Sequence, residues 1–306
     1  MADWSAWIGR TQTQKDVLTP GLLTRFRAML DSAATGKMAA QGIHWCLCLP
    51  DAPTASLGAD GHPLRGESPA SLLPPLPHLP RRMWASSKVE FLSPIRLGAE
   101  IERRTTVQAI EAKRGGSGEL VFVTLRHETL ADGALAVREE QSLVYRAAAA
   151  SDAPLAPPPG KGRFDSAGWR AHRLVVPSEA LLFRYSALTF NSHRIHYDHP
   201  YVTRVEGYPA LVVQGPLTMT CLLDLARDSM PNRRITSYTM RAKAPLFANT
   251  PFEMVGRPAA DGKSAELWAV TPDGTTALYD LAADPAETRN VVDAFPSDAE
   301  RLKREL

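Results

Sequence analysis

Residues 184–201 read RYSALTFNSHRIHYDHPY, with three histidines spaced three apart among acids, arginines and one asparagine. Histidine changes charge near neutral pH, so such a cluster suits either proton transfer or metal binding. A metal would need His193, His196 and His199 to converge, yet Pro200 is expected to stop regular helix just past His199. Catalytic zinc sites pair histidines four residues apart or add distant ligands, so no metal is expected here. Cys46-x-Cys48 is a weak ligand pair and reads as alternate positions on a strand. Cys48-Leu49-Pro50-Asp51-Ala52 lacks the arginine that a sulfatase nucleophile motif needs.

A second stretch with chemical potential is Leu211-Val212-Val213-Gln214-Gly215-Pro216, an apolar strand running into a helix. The first N–H groups of a helix are unpaired and carry the positive end of its dipole, which suits an oxyanion. Gly215 has no Cβ and would let an acyl group approach closely.

These segments must be held by surrounding elements. The spacing predicts one helix over residues 19–34, with Thr19 as its cap and Pro20 at its first position, and another over 215–230. Strands are expected over 83–96, 100–110, 119–130 and 134–146, and in the second half over 234–244, 250–258 and 264–271. Residues 50–80 are rich in proline and read as a long loop, a lid over part of the fold. Residues 149–162 carry almost no large apolar side chain and read as a Pro/Ala-rich linker.

The halves on either side share a weak repeat. Leu22–Met29 aligns with Leu181–Leu188 at an offset of 159 (181 − 22), and Phe91-x-x-Pro94-Ile95 aligns with Ala242-x-x-Pro245-Leu246 at 151 (245 − 94). Two copies of one domain explain both matches.

Composition narrows the class. The 306 residues are 44% hydrophobic and 22% charged with a net charge of +2, enough for one large core or two domains. Basic residues are scattered, so nucleic acid is not an expected partner. Cys46, Cys48 and Cys221 are an odd number, and a 46–48 disulfide would close too short a loop, which points to a reducing compartment. The start MADWSAWIGRTQTQKD has no signal-peptide pattern, and no apolar run nears the roughly 20 residues a bilayer span needs. A cytoplasmic chain that does not engage membranes is expected.

The segments RMWASSKVEFLSPIRLGAEI, FRYSALTFNSHRIHYD and YPALVVQGPLTMTCLLDLAR resemble the MaoC-like hydratase/dehydratase family. The closest resemblance is to its branch with a degenerate N-terminal hot-dog, which takes in mesaconyl-C4-CoA (3-methylfumaryl-CoA) and itaconyl-CoA hydratases and 3-hydroxyacyl-thioester dehydratases. The resemblance covers residues 1–275 and implies an α+β double hot-dog, each domain an antiparallel sheet wrapped around a central helix. The implied division is a degenerate N-terminal hot-dog at 1–148, the linker, a catalytic hot-dog at 163–275, and a tail at 276–306. That tail, with ALYDLAADPAETRN, resembles the C-terminal segment of sulfatases, and no activity is assigned to it.

Family members show D-x-N-P-x-H, the Asp and His facing one water. With the family His on His196, its Asp falls on Asn191, its Asn on His193 and its Pro on Arg194. The carboxylate is missing, so the resemblance implies His196 as the acid–base group, Asn191 as a water-orienting amide and Gly215 as the oxyanion glycine. Asp198 is a candidate for orienting the His196 ring. Gln214 and the flanking Arg184, Arg194 and Arg204 are candidates for substrate binding, arginine being suited to clamping a free carboxylate.

The implied activity is a hydro-lyase on an enoyl-CoA with a short branched or dicarboxylic acyl group. It would need no cofactor, would take an acyl-CoA thioester as partner, and would work as a homodimer. The alternatives are a (3R)-hydroxyacyl-thioester dehydratase, a hot-dog thioesterase, which usually needs a carboxylate base or nucleophile, and a non-catalytic acyl-CoA-binding module.

Overall fold

The computed structural model describes residues 3–64, 71–115, 118–148, 165, 167–230, 233–242, 244–259, 263–271 and 276–277. The linker at 149–162 and residues 278–306 of the tail lie outside the described residues.

Each half opens with a strand, which the sequence reading missed: β1 (Thr11–Val17) and β6 (Ala171–Val175). Their sequences, TQTQKDV and AHRLV, lie mostly exposed at an edge or beside the linker and carry no apolar alternation to betray them. A short helix follows each, α1 (Pro20–Met29) and α2 (Glu179–Thr189). The repeat is visible in their capping: the Thr19 hydroxyl accepts from the Leu22 N–H and the Ser178 hydroxyl from the Leu181 N–H, at the offset of 159 (178 − 19).

The first half continues with β2 (Arg81–Phe91), β3 (Glu100–Gly115), β4 (Gly118–Ala131) and β5 (Ala134–Arg146). The second continues with α3 (His199–Arg204), α4 (Gly215–Ser229), β7 (Ser237–Arg241), β8 (Phe252–Pro258), β9 (Ala265–Val270) and β10 (Thr276–Ala277). Among the described residues one sheet runs β1-β3-β4-β5-β2-β7 and the other β10-β9-β8-β6.

The halves meet where β2 pairs antiparallel with β7, and Lys88 stands opposite Thr239. These two are repeat equivalents at the offset of 151 (239 − 88), so the junction lies on a local two-fold axis relating the copies. The fold is a double hot-dog.

The copies differ in one element. In the second half α4, buried along Leu217, Met219, Leu222, Leu223 and Leu225, fills the middle of the domain. At the same offset its counterpart would span residues 64–78, and Pro69, Pro74, Pro75 and Pro77 fall in that span. Proline removes helix donors and clashes with the preceding turn, so among the described residues the long helix is present once.

The inner face of the first-half sheet is correspondingly uneven. Ile101, Ala131, Val137 and Phe91 pack into the main core. Val107, Val121, Val123, Leu125, Leu143 and Tyr145 form a second apolar cluster with Leu76 and Leu79. Between them Arg103, Thr105, His127, Thr129, Glu139 and Gln141 line a cavity of about 450 Å³.

Candidate active site

The segment 190–198 is not a helix. Phe190 ends α2 in the left-handed region at φ 47°, and the Asn191 N–H donates to the Ser186 carbonyl oxygen at 2.9 Å. A single 3-10 turn, Arg194–His196, then leads to α3, where Asp198 caps the helix by accepting from the Tyr201 N–H at 3.0 Å. Pro200 therefore starts a helix instead of ending one, as proline does when its missing N–H falls in the first turn.

This path drives His196 inward. It is 8% exposed, and its Nδ1 lies 2.7 Å from the Val212 carbonyl oxygen in the segment leading to Gly215, which is not the expected strand but makes a single isolated bridge, Val212 to Phe247. A carbonyl only accepts, so Nδ1 carries the proton and Nε2 is the bare nitrogen, with no protein partner among the described residues. Burial lowers the His196 pKa to about 4, against a smaller opposing effect of the Val212 contact. The ring is neutral at pH 7 and can accept a proton.

Asn191 Oδ1 accepts from the His193 N–H at 3.0 Å, which leaves the amide NH₂ as the free end of the side chain. Gly215 is the first residue of α4, and no side chain caps that helix end. Its missing Cβ makes room for a neighbour from the other half, because a Cβ there would stand 2.5 Å from Trp84 Cε3. The Trp84 indole in turn donates to Ser87 Oγ at 2.8 Å.

The remaining sequence candidates go elsewhere. Asp198 does not orient His196: its carboxylate accepts from Arg194 Nε and Nη2 at 2.9 and 2.7 Å. Arg194 also donates to the Ala59 carbonyl oxygen at 2.8 Å and lies over the Tyr201 ring, so it fastens the 58–64 loop. Arg184 and Arg204 are exposed on α2 and α3, and neither lines a described cavity. Gln214 is 1% exposed, and its Nε2 is used on the Leu182 carbonyl oxygen and Ser186 Oγ, both at 2.9 Å, which ties α4 to α2. His199 is exposed, so the three histidines do not converge. Cys46 sits in a 3-10 turn, Ile43–Cys46, and Cys48 has φ 51°, so this pair is not on a strand.

What the sequence reading missed comes from the Pro-rich loop. Asp60-Gly61-His62 docks on the histidine segment: the Arg194 N–H donates to the Asp60 carbonyl oxygen at 2.9 Å, and the Ser192 hydroxyl donates to that of Gly61. Asp60 Oδ2 holds His62 Nδ1 at 3.0 Å. The His62 ring stacks on His193 with centroids 4.1 Å apart, and His193 meets His196 edge to face at 5.4 Å. A carboxylate thus reaches the histidines from the first half, although position 191 has none.

Burial pushes the His62 pKa down to about 4 and that of His193 well below its usual range. Asp60, His62 and His193 hold possible ligand atoms within 4.8 Å of one another. Asp60 and His62 already bond each other, and the Arg82 guanidinium lowers the pKa of both histidines, an environment that disfavours an added cation. Asp60, His62 and Arg82 line a second cavity of about 440 Å³.

A family model for hydroxyacyl-thioester dehydratase type 2 matches residues 42–248, which take in the docked loop, the histidine segment and α4. The chain belongs to this family. It is also 41% identical over 281 residues to mesaconyl-C(4)-CoA hydratase of Chloroflexus aurantiacus, covering 90% of this chain and 96% of that protein. The fold is shared with a MaoC-like dehydratase from Phytophthora capsici, at a TM-score of 0.64 and 12% identity over 91% of this chain and 97% of the other. It is shared too with a Mycobacterium tuberculosis protein described as having a double hotdog fold, at a TM-score of 0.56 and 15% identity over 90% and 96% of the two chains. The family match spans both halves, in keeping with a histidine cluster assembled from both. One sign of Asp60 and His62 was present in the sequence: they flank a glycine within the proline-rich stretch.

Proposed function

We propose that the chain is a hydro-lyase that adds water reversibly across the double bond of a short branched or dicarboxylic enoyl-CoA such as mesaconyl-C4-CoA. The observation that carries this reading is the neutral His196 ring, its Nδ1 fixed by the Val212 carbonyl and its Nε2 bare, in a chain 41% identical to a mesaconyl-C(4)-CoA hydratase.

In this reading Nε2 takes a proton from water as the water oxygen bonds to the β-carbon, and the electron pair of the double bond moves to the thioester oxygen. The Gly215 N–H at the α4 start holds that oxyanion, and loss of one such donor typically costs about 3 kcal/mol of transition-state stabilisation. The protonated His196 then returns the proton to the α-carbon, so the sum is one water added. Asn191, its Oδ1 committed to the His193 N–H, positions the water through its NH₂.

The reverse reaction, dehydration of a 3-hydroxyacyl thioester, uses the same groups, and the family match supports it as the second reading. Free Cys46, Cys48 and Cys221 fit a cytoplasmic setting, and we take the working unit to be a homodimer.

Incubation with mesaconyl-C4-CoA, itaconyl-CoA and crotonyl-CoA, following loss of the conjugated thioester absorbance and release of free thiol, tests the assignment. Absorbance loss without thiol is expected. Thiol release would make the protein a thioesterase, and no change with any substrate would remove the hydratase reading.

A further inference from the structure

The cavity in the first-half sheet has the character of a binding site. A bulge between Trp84 and Ser86 keeps Arg82 and Trp84 on the face that bears Ser87, Val89 and Phe91, because their partners Tyr145, Leu143, Gln141, Glu139 and Val137 alternate along one side of β5. Arg82 thereby lines both the cavity beside Asp60 and His62 and the one in the polar belt. Among the described residues it makes no hydrogen bond and no ion pair; its charge reaches the Asp60 carboxylate, whose pKa it helps to lower, but that carboxylate is bonded to His62.

The belt behind it holds other unused groups. Arg103 donates through Nη2 to Gln14 Oε1 and the Cys48 carbonyl oxygen, but its Nε is buried without a hydrogen-bond partner, as are both ring nitrogens of His44. The nearest acid to His44, Glu139 Oε2, is 3.9 Å away, too far for a hydrogen bond, and already accepts from the Trp45 indole, while Oε1 accepts from Ser87. Unsatisfied buried polar groups cost free energy unless something arrives to bond them. Burial also raises the Glu139 pKa, which weakens its repulsion of an arriving anion.

We propose that Arg82, backed by Arg103 and His44, receives the free carboxylate of a dicarboxylic acyl thioester whose reacting carbons lie toward His196. This inference names the acyl class for the reading above and rests on it. The cation expected at 184, 194 or 204 is supplied instead from β2 of the other half. Pro69, Pro74, Pro75 and Pro77, which disfavour a second α4 in the first half, account for the site, since such a helix would have filled the belt.

The test uses binding as well as turnover. Calorimetric titration of the full chain with succinyl-CoA and butyryl-CoA, which cannot be hydrated and differ in the terminal carboxylate, is expected to favour succinyl-CoA at least tenfold. Arg82→Gln should abolish that preference while leaving butyryl-CoA affinity within about threefold, and Arg82→Lys should keep part of it. Butyryl-CoA binding serves as the folding control, and the Lys variant repeats the test if the Gln variant does not fold. Equal affinity of the wild type for both thioesters, no binding of either, or an undiminished preference in Arg82→Gln would overturn the proposal. A succinyl-CoA preference lost in Arg82→Gln, without hydration of any enoyl-CoA, would keep the carboxylate site and remove only the hydratase reading.

Discussion

The Ser192 carbonyl oxygen stands 1.9 Å from where a Cβ on Gly61 would be, and Gly61 has φ +87°. Only a residue without a side chain lets the Pro-rich loop close on the histidine segment, and this contact carries Asp60 and His62 to His193.

Gly61→Ala is therefore expected to lift the 58–64 loop. The left-handed conformation alone costs about 1–2 kcal/mol for a residue with a Cβ, and a clash with backbone cannot relax by rotamer change. Faster proteolysis within this loop and hydration slowed at least tenfold should accompany a modest fall in melting temperature. Wild-type protease resistance would mean that the loop holds by other contacts.

Gly215 and Trp84 should be coupled. Gly215→Ala places a methyl against the Trp84 ring, and overpacking of this kind typically costs about 1–3 kcal/mol. In a Trp84→Leu background the same substitution should cost less than half as much, measured as urea-unfolding midpoints in a double-mutant cycle. Additive effects would show that the ring is not what excludes a side chain at 215.

Arg81 and Glu206 form a buried pair at 2.6 Å, with the Tyr201 hydroxyl on the other Glu206 oxygen at 3.0 Å. The pair pins the start of β2, and with it Arg82, to the segment after the histidines. Removing one partner, as in Arg81→Met, should destabilise by about 3–5 kcal/mol, and Arg81→Met with Glu206→Gln by less, because no buried charge is then left alone. Chemical denaturation of the two variants checks this.

Acid should unfold the protein through its buried histidines. His62 and His196 have pKa values lowered to about 4, and His44 and His127 to about 3, from an ordinary 6.5. Each is depressed in the folded state, so the unfolded chain takes up their protons first. Their contribution is complete above about pH 6.5 and is lost as pH falls toward 4, at up to about 1.4 kcal/mol per pH unit for each fully titrating histidine. Glu139, whose pKa burial raises, holds its proton longer in the folded than in the unfolded chain and so works against this loss above about pH 4.5. His127→Gln, in the wall of the polar belt and not among the groups proposed to move protons, should remove about one proton from the pH dependence of urea unfolding between pH 7 and 5. An unchanged slope would contradict it.

The sequence disclosed much of this arrangement because local signals carried it. The Thr19 cap and the Gly215-Pro216 helix start were legible, and the repeat is borne out by the matching Ser178 cap and by Lys88 and Thr239, which stand opposite each other at the same offset of 151 (239 − 88). What stayed hidden depends on long-range packing. Strand β1 is mostly exposed and polar, and β6 is five residues long with no apolar alternation, so periodicity is silent about them. Arg194 looked like a substrate clamp because it sits next to His196 in sequence, whereas the loop that claims it is about 130 residues away. Arg82 could not be assigned to a face without the bulge at Trp84/Ser86. The role of α4 was clear, but that its counterpart is disfavoured follows only once the prolines of 64–78 are set against the repeat.

The central claim is that His196 moves the proton. Hydration of mesaconyl-C4-CoA, followed as loss of the conjugated thioester absorbance, should fall about 10²–10⁴-fold in His196→Ala, with succinyl-CoA binding within about threefold of wild type. Hydration by His196→Ala at the wild-type rate would contradict it.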